Sequence, residues 1–164
     1  LVDIILSVPK IIVGLVVVAV LGPSLTVLIV MTGTVYSGGV FRIARALARD
    51  VVGLDYVRAA TARGEGKLHI MMREILPNIL SPLAVDFALR VSFAILFISS
   101  LGFLGLGVQP PKADWGTLVH DNISGLSSGS LAAIWPALAI ASVTISLNYL
   151  VDTLSLAGEN GRKQ

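Results

Sequence analysis

Long apolar stretches, separated by polar or glycine-rich segments, set the plan of this 164-residue chain. No charged residue falls between Ile11 and Phe41, a run of 31. One helix of that length would extend roughly 46 Å at 1.5 Å per residue. That exceeds an apolar membrane core of about 30 Å and falls short of two full crossings. Two helices that borrow from their flanks resolve the mismatch, predicted over residues 2–21 and 24–44 with Gly22-Pro23 as the turn. Lys10 then lies near one end of the first and reaches headgroups by snorkelling. A third span is predicted over 79–101, with Pro82 tolerated in its first turn. A fourth follows over 131–151, with Trp135 as an interfacial residue near its end.

The segment 45–77 breaks this pattern. Tyr56, Ala59, Ala60 and Arg63 recur at helical spacing, with two adjacent alanines on one side. Gly64 and Gly66 suit a tight change of direction. A second helical run is predicted from Lys67 to Leu76, closed by Pro77. Together these make an L-shaped element standing on a membrane surface, well formed to be gripped from outside the bilayer. At the other end, the glycines of 102–107 stop the third span and Pro110-Pro111 prevents its continuation. A short surface helix is predicted over 114–124, anchored by Trp115. The fold class is therefore an all-α, polytopic membrane helical bundle with four spans in a single domain.

Composition agrees. Hydrophobic residues make up 55% of the chain and charged residues 13%, against about 25% charged in soluble domains, and the mean hydropathy is +0.87. A net charge of +2 does not support a nucleic-acid surface. Cysteine is absent, which excludes disulfides and thiolate metal sites. The start has no basic n-region or small-residue cleavage site, so no cleavable signal peptide is expected. Seven of the twelve basic residues lie between Arg42 and Arg73, which assigns 45–77 to the cytoplasm. In residues 102–130 only Lys112 is basic, in keeping with an external loop.

Candidate chemistry is sparse. Gly64-Glu65-Gly66-Lys67 fails as a phosphate-binding loop: the spacing is wrong and Leu68 replaces the Ser/Thr. His69 and His120 are too far apart in the expected topology to share a site, and no catalytic or metal-ligand constellation is present. Asp86 and Arg90 are four residues apart on one helix face. Both fall near mid-membrane, where charges pair with one another or face an aqueous path. Three classes are left: a permease driven by a separate ATPase, a channel or scaffold without ATP coupling, and an intramembrane enzyme. The enzyme lacks its catalytic groups, and a channel or scaffold has no use for the element at 55–77.

Tyr56-Val57-Arg58-Ala59-Ala60, Gly64 and Ile75-Leu76-Pro77-Asn78 resemble the cytoplasmic EAA signature of ABC importer permeases. The run from Leu101 to Pro111, with Trp115-Gly116, is similar to the dipeptide/oligopeptide/nickel branch of that family. Arg58 stands where the signature usually has a Glu. The resemblance implies a membrane-spanning subunit of the bacterial inner membrane that forms the path for peptides or similar small solutes. It implies a cytoplasmic coupling helix with Asp55, Tyr56, Ala59, Ala60 and Gly64 as its ATPase-coupling residues. Implied partners are ABC ATPase subunits, a second permease subunit, an extracytoplasmic substrate-binding protein and the bilayer. No metal or cofactor of the chain's own is implied, since ATP is bound by the partner subunits. Family members usually have six spans, so the chain is expected to lack the first of them.

Overall fold

The computed structural model describes residues 8–161, with side chains through Val151 and at Thr153. The described residues are helical and contain no strand. Helix α1 is Lys10–Leu21 and α2 is Leu25–Val52. They form a hairpin at Gly22-Pro23, and the Ser24 hydroxyl caps α2 by accepting from the Val27 amide at 3.2 Å. Helix α3, Asp55–Ala62, is followed by the single turn α4, Lys67–Ile70. A wide π-type turn, Met71–Ile75, carries the chain into α5, Leu76–Leu101. A second such turn covers Gly102–Leu106. Helix α6 is Trp115–Asn122, and α7 is Ile134–Gly161.

Among the described residues, three helical stretches are long and apolar enough to cross a membrane: Leu25–Val52, Lys67–Leu106 and Ile134–Val151. The expected first span, 2–21, falls partly outside the described residues. Its described helix has 12 residues, roughly 18 Å, with Pro9 extended just before it. The second span runs past its expected end at 44, so that Arg42, Arg45 and Arg49 ride on the same helix.

Pro77 does not close the second helical run, as its sequence suggests. Residues 67–104 form one continuous helical rod, roughly 57 Å long, and Gly105 at φ +80° breaks the helical path just beyond it. Proline lacks an N–H and its ring presses on the carbonyl four residues back. The π-type turn just before Pro77 relieves both problems by widening the helix, with the Leu76 amide donating to Met71 O five residues back. The Asn78 side-chain amide then donates to Glu74 O at 2.7 Å.

Helix α5 is the centre of the bundle, with α2 and α7 packed along it. Val18, Leu28, Met31, Val35, Phe97 and Leu101 bury one another where α1, α2 and α5 meet. In lipid such contacts hold helices by close packing rather than by the hydrophobic effect.

At the end of the rod away from the arginines, a knot of hydrogen bonds fixes α6. Asp114 caps α6: its carboxylate accepts from the Thr117 amide (2.9 Å), the Thr117 hydroxyl (2.7 Å) and the Val108 amide (3.0 Å). Gly102, Gly107 and Gly116 make room, because a Cβ on any of them would collide with Asp114, Thr117 or the Ser99 backbone. The glycine-dense run and the Asp-Trp-Gly triplet are thus two halves of one joint.

Asp114→Ala should cost about 3 kcal/mol, since three bonds to one carboxylate are lost together. Thermal unfolding of the purified subunit should show the transition lowered by several degrees, with Asp114→Asn intermediate. An unchanged transition in both would mean that the knot carries no stability.

Candidate functional site

Two groups of sequence-predicted residues occupy different ends of the rod's first half. The first is α3 with its exit. Helix α3 is held by Val57 and Ala60, which bury with Ile70 against Val51 and Ile75. Both alanines were expected to face a partner, but the structure separates them. Ala60 is 0% exposed and seats α3 on the chain's own helices, while Ala59 is exposed. The reason is the helical period: Val57 and Ala60 are three apart and share the inner face, which leaves Tyr56, Ala59 and Arg63 on the outer one. Asp55 is fully exposed and lies 3.9 Å from Arg58, also exposed. Nearby Leu54, Leu68, Met71 and Met72 add exposed apolar surface.

Gly64 ends α3 at φ +80°. Its amide donates to Thr61 O, and the Glu65 amide reaches back to Ala60 O. These two bonds form the Schellman arrangement, which needs a left-handed residue at this position. Arg63 and Glu65 then clasp across the bend at 2.6 Å, and His69 lies 3.6 Å from the same carboxylate. His120 sits on α6, where its Nδ1 donates to Phe103 O at 2.7 Å. Among the described residues no cluster of His, Cys, Asp or Glu could hold a metal ion.

The second group is Asp86 and Arg90 on α5. Their side chains form a two-pronged pair, Nε to Oδ2 at 2.6 Å and Nη2 to Oδ1 at 3.0 Å. They are 20% and 18% exposed, so the pair is largely removed from the surface. The third prong, Nη1, lies against Gly39 of α2, where a Cβ would collide with it. One turn along, the Tyr36 hydroxyl donates to Phe93 O at 3.1 Å and its ring meets Phe97 edge-on at 6.0 Å. Lys10 stands over the other part of this assembly, its Nζ 4.3 Å from the Tyr36 ring centre. Sequence reasoning placed Lys10 among the headgroups and did not single out Tyr36 or Gly39. A tyrosine and a glycine one helical turn apart in an uncharged stretch carry no signal until the partner helix is in place.

An all-α bundle with three membrane-length apolar helices among the described residues, a surface helix at one end and a glycine-lined joint at the other defines a polytopic membrane component. Residues 1–159 match the family described as "Binding-protein-dependent transport system inner membrane component", and the chain belongs to that family. It is a multi-pass protein of the bacterial inner membrane. It is similar to the "Dipeptide transport system permease protein DppC" of Escherichia coli (strain K12), 37% identical over 163 residues, covering 99% of this chain and 54% of that protein. The "Di/tripeptide transport system permease protein DppC" of Pseudomonas aeruginosa (strain UCBPP-PA14) is 35% identical over 154 residues, 94% of this chain and 51% of that protein. The corresponding dipeptide permease protein of Haemophilus influenzae is 34% identical over 164 residues, 100% and 56% of the two. The chain spans about half the length of the curated relatives it matches.

Two outcomes are expected from these geometries. Gly64→Val should strain the bend by about 1–3 kcal/mol, and Gly64→Asn by less. Limited trypsin digestion should therefore cut after Arg63 and Lys67 faster in the valine variant, and equal rates would show that the left-handed turn is not required. Arg90→Ala should destabilise the bundle by about 3–5 kcal/mol by leaving Asp86 buried without its partner. The paired neutral variant Asp86→Asn with Arg90→Gln should recover most of that loss in thermal unfolding. A double variant no better than the single would argue against the pair.

Proposed function

We propose that this chain is the membrane-spanning part of a permease subunit in an ATP-driven importer for peptides or similar small solutes. Separate ABC ATPase subunits grip α3 through Tyr56, Ala59 and the surrounding exposed residues. A second permease subunit completes the path, and an extracytoplasmic binding protein delivers the solute. The chain binds no ATP itself and has no catalytic role.

The observation that carries this reading is the joint between α3 and the rod. A short helix with an outward small residue is fastened by its inner face and by the Schellman turn to the long helix that runs from Lys67 to Leu104. Push or pull on α3 is thereby delivered to the far end of the rod, which is the mechanical requirement for moving between two access states. The excess of arginine at this end supports a cytoplasmic position for 45–77 and an external one for 102–130. Dipeptide permeases among the relatives support the solute class.

The test is made on the assembled transporter. Ala59→Trp puts an indole on the outer face of α3 and should reduce ATPase co-purification and solute-stimulated ATP hydrolysis by at least about ten-fold. The permease subunits should still purify together with unchanged thermal unfolding. Normal ATPase recovery in this variant would refute the coupling role. The orientation is checked on single cysteines, which the cysteine-free chain makes clean. An impermeant thiol reagent applied outside intact cells should label Ser128→Cys and not Leu68→Cys; the reverse pattern would invert the topology.

A further inference from the structure

Helix α2 carries an exposed stripe that changes from apolar to cationic along its length. Val30, Thr34, Phe41, Arg45 and Arg49 follow one another at spacings of four and seven residues, which sets them on one side of the helix, and all are exposed. The first part suits hydrocarbon. Val30 and Phe41 present apolar surface. The Thr34 hydroxyl donates to Val30 O at 2.8 Å, and the neighbouring Ser37 hydroxyl to Thr34 O at 2.7 Å. Neither hydroxyl is left seeking a polar partner. The second part is cationic and not neutralised by the chain. Arg45 and Arg49 form no ion pair among the described residues. Asp50, next to Arg49 in sequence, projects about 100° round the helix from it.

These arginines fall at headgroup depth. The uncharged part of α2, residues 25–41, is about 26 Å long, close to a hydrocarbon core of about 30 Å. Arg45 and Arg49 lie about 6 Å and 12 Å beyond Phe41 along the axis. Helical side chains lean back toward the N-terminus, which here means toward the bilayer. The headgroup layer extends about 5–7 Å past the core on each side, so both guanidinium groups reach it. Two of them one turn apart match the oxygens of a phosphate. An acidic protein surface would also meet the charge, but it would not account for the apolar continuation through Phe41 to Val30, which a lipid tail covers.

We propose that this stripe is a docking site for an anionic phospholipid of the cytoplasmic leaflet, its phosphate between Arg45 and Arg49 and one acyl chain laid along Phe41 toward Val30. Phe41 and Val30 are 11 residues apart, about 16 Å along the axis, which is the depth of one leaflet. Lys67 and Arg73 are exposed near the same end, but they belong to the rod and not to α2. The inference rests on the cytoplasmic placement of 45–77 given above and adds a lipid as a ligand of the chain's own surface.

The test is made on the full chain purified in detergent with its co-purifying subunits. It uses neither ATP nor solute, so its result stands apart from any transport measurement. Phosphatidylglycerol and phosphatidylcholine are titrated in, and bound lipid is counted by native mass spectrometry. Wild type should hold its first phosphatidylglycerol at least about ten-fold more tightly than phosphatidylcholine. Arg45→Gln and Arg49→Gln should each weaken phosphatidylglycerol binding about five-fold, and together about thirty-fold. Phosphatidylcholine binding and thermal unfolding should not change. Lys67→Gln with Arg73→Gln removes the same charge from the same end and should alter phosphatidylglycerol affinity by less than about two-fold. Equal losses in the two pairs would reduce the effect to net charge and overturn the site. Unchanged phosphatidylglycerol affinity in Arg45→Gln with Arg49→Gln would overturn it as well. If that pair instead keeps its lipid and sheds the ATPase subunits, the arginines serve a protein partner and the lipid site is refuted. Outside labelling of Leu68→Cys, the failure of the orientation given above, would leave these affinities as they are and contradict only the choice of leaflet.

Discussion

Within hydrocarbon every backbone N–H and C=O must find its partner inside the protein, and that demand governs how this chain treats its prolines. Pro77 and Pro82 both fall within the rod that begins at Lys67 and runs to Leu104. Each removes one donor from the ladder. The helix nevertheless continues, because the π-type turn Met71–Ile75 absorbs the ring of Pro77 and the Asn78 side chain supplies a donor to Glu74 O. A helix that stopped at Pro77 would have left α3 on a separate, loosely attached hairpin. Continuity instead places α3 and the glycine-lined joint near opposite ends of one long helix.

The two ends are built by different means, each suited to its surroundings. At the arginine-rich end, α3 is attached by three buried apolar side chains and a left-handed glycine, an arrangement that fixes direction with little mass. At the other end, Asp114 ties α6 to the loop after the rod through three hydrogen bonds, and glycines let the backbones touch. Between them, the Asp86–Arg90 pair and Tyr36 fasten α5 to α2. The transport role proposed above would need outer and inner contacts to move in concert, and a single helix held near both ends would meet that need without any long-range pathway of side chains.

Much of this was legible in the sequence. The hairpin at Gly22-Pro23, the short helix at Asp55, the bend at Gly64, the helix beginning near Trp115 and the pairing of Asp86 with Arg90 all follow from local spacing. What was not legible depended on neighbours distant in sequence or on one rule overriding another. Pro77 reads as a stop because proline ends most helices, and nothing in the local pattern announces a π-type turn. Ala59 and Ala60 look equivalent until the inner face of α3 is known, and only then does Ala60 prove internal. Gly39 is unremarked until Arg90 is laid against it, and Asp114 gains meaning only when its acceptors bring Val108 and Thr117 together.

The central claim is that the helix from Lys67 to Leu104 moves as one body. Leu68 and Leu104 are exposed, the former by 69%, and the chain has no cysteine of its own, so both positions take spin labels cleanly. They are 36 residues apart, about 54 Å along a straight helix. Pulsed dipolar spectroscopy on the transporter complex proposed above should give one narrow distance near that value, the same with and without ATP. A broad distribution, or a distance that shortens by about 10 Å or more between the two states, would show a hinge at Pro77 or Pro82 and contradict the rigid rod.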